Sequence, residues 1–393
     1  TMISKTRRFY SSKLGYAHGY KMVIDDPQVQ SGAVPPPFTP PRRRSPEEQA
    51  ALKEVIEKQL REDLIEPTRS PYGALPVLVS KPDGTWRLCL DFRALNAVVT
   101  KDTYPLPNME ASLDALGKGD LYTTLDLLQG FFQVEISESS RPKTAFNTPF
   151  GQFAYKRMPM GLTSSPSTFM RIVDAALQHL PPGMALAFVD DVICPSEGKM
   201  KEHMEDVTLV FQALIAAGFT ARCDKIHLGK VEVPYLGFLV SKQGTRPNPE
   251  KTRAILEMNL QAMGHDVAAA GRFAGMVGFY SKFLESLRHS LAIFDALKYK
   301  SLSASAATTI MHSLSFKAAF AVIQHQLINI TALARPDFNV PFHVAVDTAV
   351  SGGIGAGLSQ RTDQEDPGSH MPLAWRSRKL TPTERSYPIR DLE

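Results

Sequence analysis

The chain has 393 residues, 43% hydrophobic and 21% charged, with 44 basic and 40 acidic side chains giving a formal net charge of +4. Such a length exceeds one ordinary hydrophobic core and predicts two or three domains, and the composition excludes a disordered or fibrous chain. The slight basic excess permits nucleic-acid binding where the positive charge is gathered locally, and no apolar run reaches the length of a membrane span.

The N-terminal residues 1–44 mix basic residues with VPPPFTPPRRR and show no helical or strand period, which predicts an extended, poorly ordered arm. Its arginines Arg42, Arg43 and Arg44 suit phosphate contact, although a run of charge is more often simply solvated. From Ser45, SPEEQAALKEVIEKQLREDL carries a helix start: an N-cap Ser, Pro at the first helical position, early Glu and later Lys and Arg. ALPVLVSKPDGTWRLCLDFRALN then predicts a β-hairpin turning at Pro82-Asp83-Gly84. Lys81 and Arg87 flank that turn and are placed to project toward an anion such as a nucleoside triphosphate. TYPLPNMEASLDAL is an extended link into an amphipathic helix, and LYTTLDLLQGFFQVEI is a strand carrying one acid, Asp126. A second hairpin centred on 149–152 precedes a loop where Gly161, Ser164 and Ser165 leave room for close backbone approach. Ser167 or Thr168 is expected to cap the next helix.

EGKMKEHMEDVTLVFQALIAAGF has helical apolar spacing ended by Gly218, and VEVPYLGFLVSKQGTRPN is a strand pair turning at Gln243-Gly244. Residues 250–330 are helical by pattern, with helices near 251–258, 267–284 and 316–326 and SLSASAATTI as a loop. Beyond 337 the pattern becomes strand, Gly-rich turn, strand, strand and helix start. The cysteines Cys89, Cys194 and Cys223 are far apart and lack zinc-ligand spacing, which predicts reduced thiols in an intracellular chain. A first residue Thr and a last residue Glu393 inside an unfinished pattern read as ends cut from something longer.

The chemistry is concentrated in MALAFVDDVICPS. Asp190 and Asp191 interrupt an apolar run, where ionised carboxylates are costly unless paired and also repel each other. A solvated turn accounts for one polar break but not for two adjacent acids flanked by Phe188, Val189, Val192 and Ile193. A tight hairpin brings both to one sheet face, where divalent cations cancel the charge. With Asp126 as partner, three carboxylates from two strands suit two magnesium ions and in-line phosphoryl displacement.

The ordered blocks SKPDGTWRLCLDFRALN, YPLPNMEASLDALG, LDLLQGFFQVEI, PKTAFNTPFGQFAYKRMPMGLTSSPSTF, FVDDVI and YLGFLVSKQGTRPNPEK resemble the reverse transcriptase of gypsy-type long-terminal-repeat retrotransposons, from about Tyr20 onward. The resemblance implies an α+β right-hand polymerase with an antiparallel palm sheet, followed by a truncated ribonuclease H-like α/β segment. Fingers and palm then occupy 45–245, a helical thumb and connection 246–335, and the ribonuclease H-like part 336–393. It further implies that Asp126, Asp190 and Asp191 hold two Mg²⁺ or Mn²⁺ ions and that Lys81 and Arg87 hold the incoming triphosphate. Phe131 takes the position that excludes a 2′-hydroxyl, Met160 and Gly161 line the nucleotide, and Arg93 and Asn96 lie beside the template. Lys225 matches the lysine that protonates departing pyrophosphate. Asp347 and Glu393 match the first two nuclease carboxylates, and with two further acids beyond Glu393 absent, RNA cleavage by this chain is not expected.

The partners implied are an RNA or DNA template-primer, deoxynucleoside triphosphates and the other parts of a pol polyprotein, in the cytoplasm or a virus-like particle. Two other readings compete with an active polymerase. One is a catalytically inactive nucleic-acid-binding remnant. The other is a primer-independent RNA polymerase, against which the aromatic at Phe131 argues.

Overall fold

The structure, a computed structural model, describes residues 13–81, 84–116, 119–260, 266–285, 287–297, 303–349, 353–361, 369–378, 380–381, 383–384 and 387. The chain divides into two compact units: Thr1–Ala115 with Tyr122–Gly229, and Leu116–Leu121 with Lys230–Glu393.

The first unit begins with a correction. From residue 13 the segment expected to be a loose arm is packed: β1 (Lys21–Met22) pairs in parallel with a short strand at Glu135–Ile136, and Ala17, Met22 and Ile24 are buried. The reason is tertiary, since these side chains complete a core supplied by residues more than a hundred positions away. Helix α1 (Pro27–Gln30) follows the fully buried Asp26, which accepts hydrogen bonds from Lys143 Nζ at 2.6 Å and Gln30 Nε2 at 2.9 Å and from the Tyr72 hydroxyl. Helix α2 (Pro46–Arg61) starts at the N-cap Ser45 read from sequence, and the structure closes a capping box there, with Ser45 Oγ accepting from Glu48 N and the Glu48 carboxylate accepting from Ser45 N.

Strand β2 (Ile65–Pro67) pairs antiparallel with the strand Gly151–Tyr155, which itself forms a hairpin with Phe146–Thr148, and β3 (Leu75–Ser80) pairs antiparallel with β4 (Trp86–Asp91). That register confirms the first hairpin, although its turn residues Pro82 and Asp83 lie outside the described residues. A short helix α3 (Arg93–Asn96) and α4 (Met109–Asp114), capped by Asn108, lead to β5 (Leu121–Asp126), then β6 (Glu135–Ile136), β7 (Phe146–Thr148) and β8 (Gly151–Tyr155). Helix α5 (Ser165–Leu177) starts earlier than expected. Ser167 and Thr168 are buried inside it and cap nothing, while Ser165 Oγ donates to Pro159 O. Strands β9 (Leu186–Phe188) and β10 (Asp191–Ser196) form the acidic hairpin, α6 (Met200–Ala216) packs beneath it, and β11 (His227–Lys230) completes a sheet of order β11-β5-β10-β9.

In the second unit, β12 (Glu232–Tyr235), β13 (Phe238–Ser241) and β14 (Gly244–Pro247) form an antiparallel meander. The helices are α7 (Pro249–Leu256), α8 (Val267–Phe279), α9 (Leu287–Ala296), α10 (Ala304–His312) and α11 (Leu314–Ile328). Their core is aromatic: Phe273 meets Phe294 and Phe320 at 5.2 and 4.8 Å, and Phe294 meets Phe316 at 4.5 Å between ring centroids. The stretch read as a loop is helix α10, capped by Ser303 Oγ, which accepts from Ala306 N. Its Ala, Ser and Thr residues carry no strong amphipathic signal, but Ala307 and Met311 are buried. Strands β15 (Phe342–Ala349), β16 (Gly353–Arg361) and β17 (His370–Arg378) form a second antiparallel meander, as the alternating pattern predicted. Gly357 is required there, because a Cβ would stand 2.4 Å from the Trp375 ring opposite it.

Candidate active site

The two strands at the centre of the four-stranded sheet end at the acids. Asp126 is the last residue of β5, Asp191 is the first of β10, and Asp190 sits in the two-residue loop between Phe188 and Asp191, which face each other in register. Leu127 N donates to Asp190 O at 2.9 Å and Arg222 N donates to Asp126 O at 2.9 Å, so backbone bonds fix the acids' mutual placement. The loop is strained: Val189 has φ 56°, a left-handed conformation that a β-branched residue strongly disfavours. Its N–H is directed at Met170 Sδ, 3.0 Å away on α5.

Electrostatics follow from this crowding. Burial pushes the Asp191 carboxyl up to about 6, and the negative charges of Asp190 and Asp126 add to the effect. Asp190 is likewise raised, first by burial and then by Asp126. The nearby cation is Lys225, whose Nζ donates to Asp126 Oδ2 at 2.6 Å, with the lysine half exposed and Asp126 at 18%. Among the described residues, no three acidic, His or Cys side chains are grouped so as to hold a metal ion as they stand. Three carboxylates and one lysine still leave two surplus negative charges, and hard oxygen donors of this kind fit Mg²⁺ or Mn²⁺.

Two residues not singled out from sequence make the arrangement possible. A Cβ on Gly130 would lie 2.8 Å from Phe169 Cζ and 3.2 Å from Asp190 Cβ, so only glycine lets the 3₁₀ turn at Gly130–Gln133 pass the hairpin. Gln133 is fully buried; its Nε2 donates to Leu128 O and Thr220 O at 2.8 and 2.9 Å, and its Oε1 accepts from Thr220 N at 2.8 Å. The LLQGFFQV block carried both residues, but a glycine's close contact and a glutamine's partners are set by distant chain.

A cavity of about 300 Å³ is lined by Lys81, Arg87 and Met160 together with Gln129, Phe132 and Arg222. The two cations read beside the hairpin turn therefore do converge, with Met160, on one space. Phe131 is not in that lining; it packs edge-on against buried Phe169 at 5.4 Å, and the cavity's aromatic lining is Trp86, Phe132 and Tyr155, the last two stacked at 5.7 Å. Gly161 has φ 97°, and its carbonyl accepts from Asn96 Nδ2 at 2.9 Å while Asn96 Oδ1 accepts from Thr163 N at 2.9 Å. Asn96 thus clamps the loop after Met160. Arg93 is bound in a fork by Asp91, at 2.9 and 2.6 Å, and that pairing pulls the Asp91 carboxyl down to about 2.

In the other unit, Asp347 is exposed on β15 opposite Gly355. Glu393 lies outside the described residues. Nearby Glu384 is held by Arg378 through two 2.8 Å bonds.

Comparison with known proteins agrees with this geometry. Residues 79–240 match the reverse transcriptase (RNA-dependent DNA polymerase) family, and residues 315–393 match the RNase H-like domain found in reverse transcriptase. The retrovirus-related Pol polyprotein from transposon opus of Drosophila melanogaster is 34% identical over 86% of this chain and 34% of its own length. That from transposon gypsy of the same organism is 33% identical over 86% and 33%. The chain thus spans about a third of these relatives. Among solved structures, the foamy viral protease-reverse transcriptase in complex with RNA/DNA hybrid has a TM-score of 0.81 at 22% identity, covering 99% of this chain and 50% of that one. The same enzyme in complex with dsDNA gives 0.82 at 21% identity, covering 99% and 78%. Residues 79–240 are thus a reverse transcriptase domain and residues 315–393 an RNase H-like domain, in a chain similar to gypsy-type retrotransposon Pol polyproteins.

Proposed function

We propose that this chain is an RNA-directed DNA polymerase that also copies DNA, extending a primer hydroxyl with deoxynucleoside triphosphates. The observation that carries the reading is the convergence of Asp126, Asp190 and Asp191 at the ends of adjacent strands. Two bound Mg²⁺ ions would supply hydroxyl activation and neutralise charge at the leaving phosphates. Asp126, Asp190 and Asp191 would hold those ions. Lys81 and Arg87, on the walls of the cavity, hold the triphosphate and counter the charge that grows on departing pyrophosphate. Lys225, beside Asp126, is the proton donor to that pyrophosphate.

Phe131, fixed by Phe169, serves as the gate against a 2′-hydroxyl, while Phe132 walls the cavity. Arg93 and the loop clamped by Asn96 are assigned to the template side, with the foamy viral complexes with RNA/DNA hybrid and dsDNA supporting a duplex substrate. The test is extension of a primer on an RNA template with deoxynucleotides and Mg²⁺; extension with ribonucleotides instead, or none at all, overturns the reading. A second reading, a nucleic-acid-binding remnant without activity, is favoured by the lysine already occupying Asp126. It predicts template-primer binding with no extension.

A further inference from the structure

Beneath the acids lies a buried polar chain that the proposed reaction does not use. His203 of α6 is fully buried, and its two ring nitrogens reach both acid-bearing strands: Nε2 is 2.7 Å from Thr123 Oγ1 on β5, and Nδ1 is 2.8 Å from Ser196 Oγ on β10. Ser196 donates its hydroxyl to Asp206 Oδ2 at 2.7 Å, and Thr123 Oγ1 accepts from Gly229 N on β11 at 3.0 Å. The proton positions follow by elimination. An ionised Asp206 only accepts, so the single Ser196 hydrogen goes to it and Nδ1 must carry the proton that is given to Ser196. Burial keeps the imidazole neutral, so Nε2 accepts the Thr123 hydroxyl hydrogen, and a Thr123 lone pair remains for Gly229 N–H. Every group in the chain is used once, in one direction.

The three strands it joins carry or follow the working residues: Asp126 is three positions beyond Thr123, Asp191 opens the strand that Ser196 closes, and β11 follows Lys225. We propose that His203 is a positioning residue whose directional hydrogen-bond chain sets the axial placement of β5, β10 and β11, and so of Asp126, Asp191 and Lys225. This rests on the polymerase reading for its catalytic consequence, but not for its structural one. A neutral buried imidazole suits this work, because it offers one donor and one acceptor at opposite edges of a rigid ring. A leucine or phenylalanine would fill the space while leaving the Thr123 hydroxyl hydrogen without its acceptor and Ser196 Oγ without its donor.

The test compares Thr123→Val, which is nearly isosteric and removes only the hydroxyl's hydrogen-bonding, with Thr123→Ser, which restores it. In metal-free protein, NMR is expected to show His203 protonated at Nδ1 and bare at Nε2. The amide resonances of Leu127 and Arg222, the donors to Asp190 O and Asp126 O, are expected to move in Thr123→Val and to stay near parental in Thr123→Ser. In primer extension, kcat per titrated active site is expected to fall on the order of tenfold in Thr123→Val with the deoxynucleotide KM unchanged, and to recover in Thr123→Ser. Unmoved Leu127 and Arg222 amides in Thr123→Val, or a His203 protonated at Nε2 alone, overturn the proposal even where the parent extends no primer. A Thr123→Val protein that is merely less stable, with parental kcat per site, overturns it as well. An inactive parent with the expected amide shifts would instead count against the polymerase reading alone.

Discussion

At Gly130 a single methyl group decides whether the acidic hairpin keeps its place. The 2.8 Å and 3.2 Å approaches to Phe169 and Asp190 leave no space for one, and Phe169 is itself fully buried between Phe131 and Phe219. Gly130→Ala should therefore cost about 1–3 kcal/mol in urea unfolding and should lower the extension rate more than it weakens template-primer binding. Equal rates per folded molecule would show that the hairpin tolerates the shift. Asp26 makes the corresponding case for stability. Burial alone would raise its carboxyl, but the bonds from Lys143, Tyr72 and Gln30 outweigh burial and hold it below its ordinary value. A depressed folded-state value means the stabilisation is present above the unfolded carboxylate's value of about 4 and lost as pH falls through the lower folded one. Asp26→Asn leaves a largely buried Lys143 with its bond to Ile24 O but without its counter-charge, and should cost about 3 kcal/mol at neutral pH. As pH falls below about 4, its unfolding should depend less on pH than the parent's does. A parallel pH profile for both proteins would contradict this.

At the scale of elements, the loop after Met160 depends on one side chain from α3. Asn96 supplies both its hydrogen bonds, to Gly161 O and from Thr163 N. Asn96→Ala should raise the deoxynucleotide KM severalfold, with a smaller effect on kcat, because Met160 lines the cavity and loses its anchor. The same elements show what could be read from the chain alone. The hairpin of β9 and β10 was legible because two acids inside an apolar run admit few solutions, and the start of α2 at Ser45 because its signals are local. Helix α10 was not, since Ala, Ser and Thr leave almost no periodic contrast. Nor was the packing of residues 13–26, whose apolar side chains are too few to declare a core and complete one built elsewhere. Within the site, Asp126, Asp190 and Asp191 could be found by charge in the wrong surroundings. Gln133 and His203 could not, because a buried polar group is recognised only by partners such as Thr220 and Thr123, which sequence does not bring near.

For the whole molecule, a net charge of +4 is too small to bind nucleic acid by bulk attraction, so contact must come from local cations such as Arg93, whose side chain is 87% exposed. Template-primer affinity should fall as salt rises, with a log–log slope near −0.7 to −0.9 for each phosphate neutralised. Arg93→Ala should reduce that slope by about one unit without introducing sequence preference. An unchanged slope would remove Arg93 from the contact surface. The central claim, that the acids at the strand ends perform nucleotidyl transfer, is tested most directly by one comparison: primer extension on an RNA template with deoxynucleotides and Mg²⁺, by the parent and by Asp190→Asn, with template-primer binding measured for both. The account predicts extension by the parent, at least a hundredfold loss in the variant, and equal binding. Parental extension by Asp190→Asn, or no extension by a parent that binds, would contradict it.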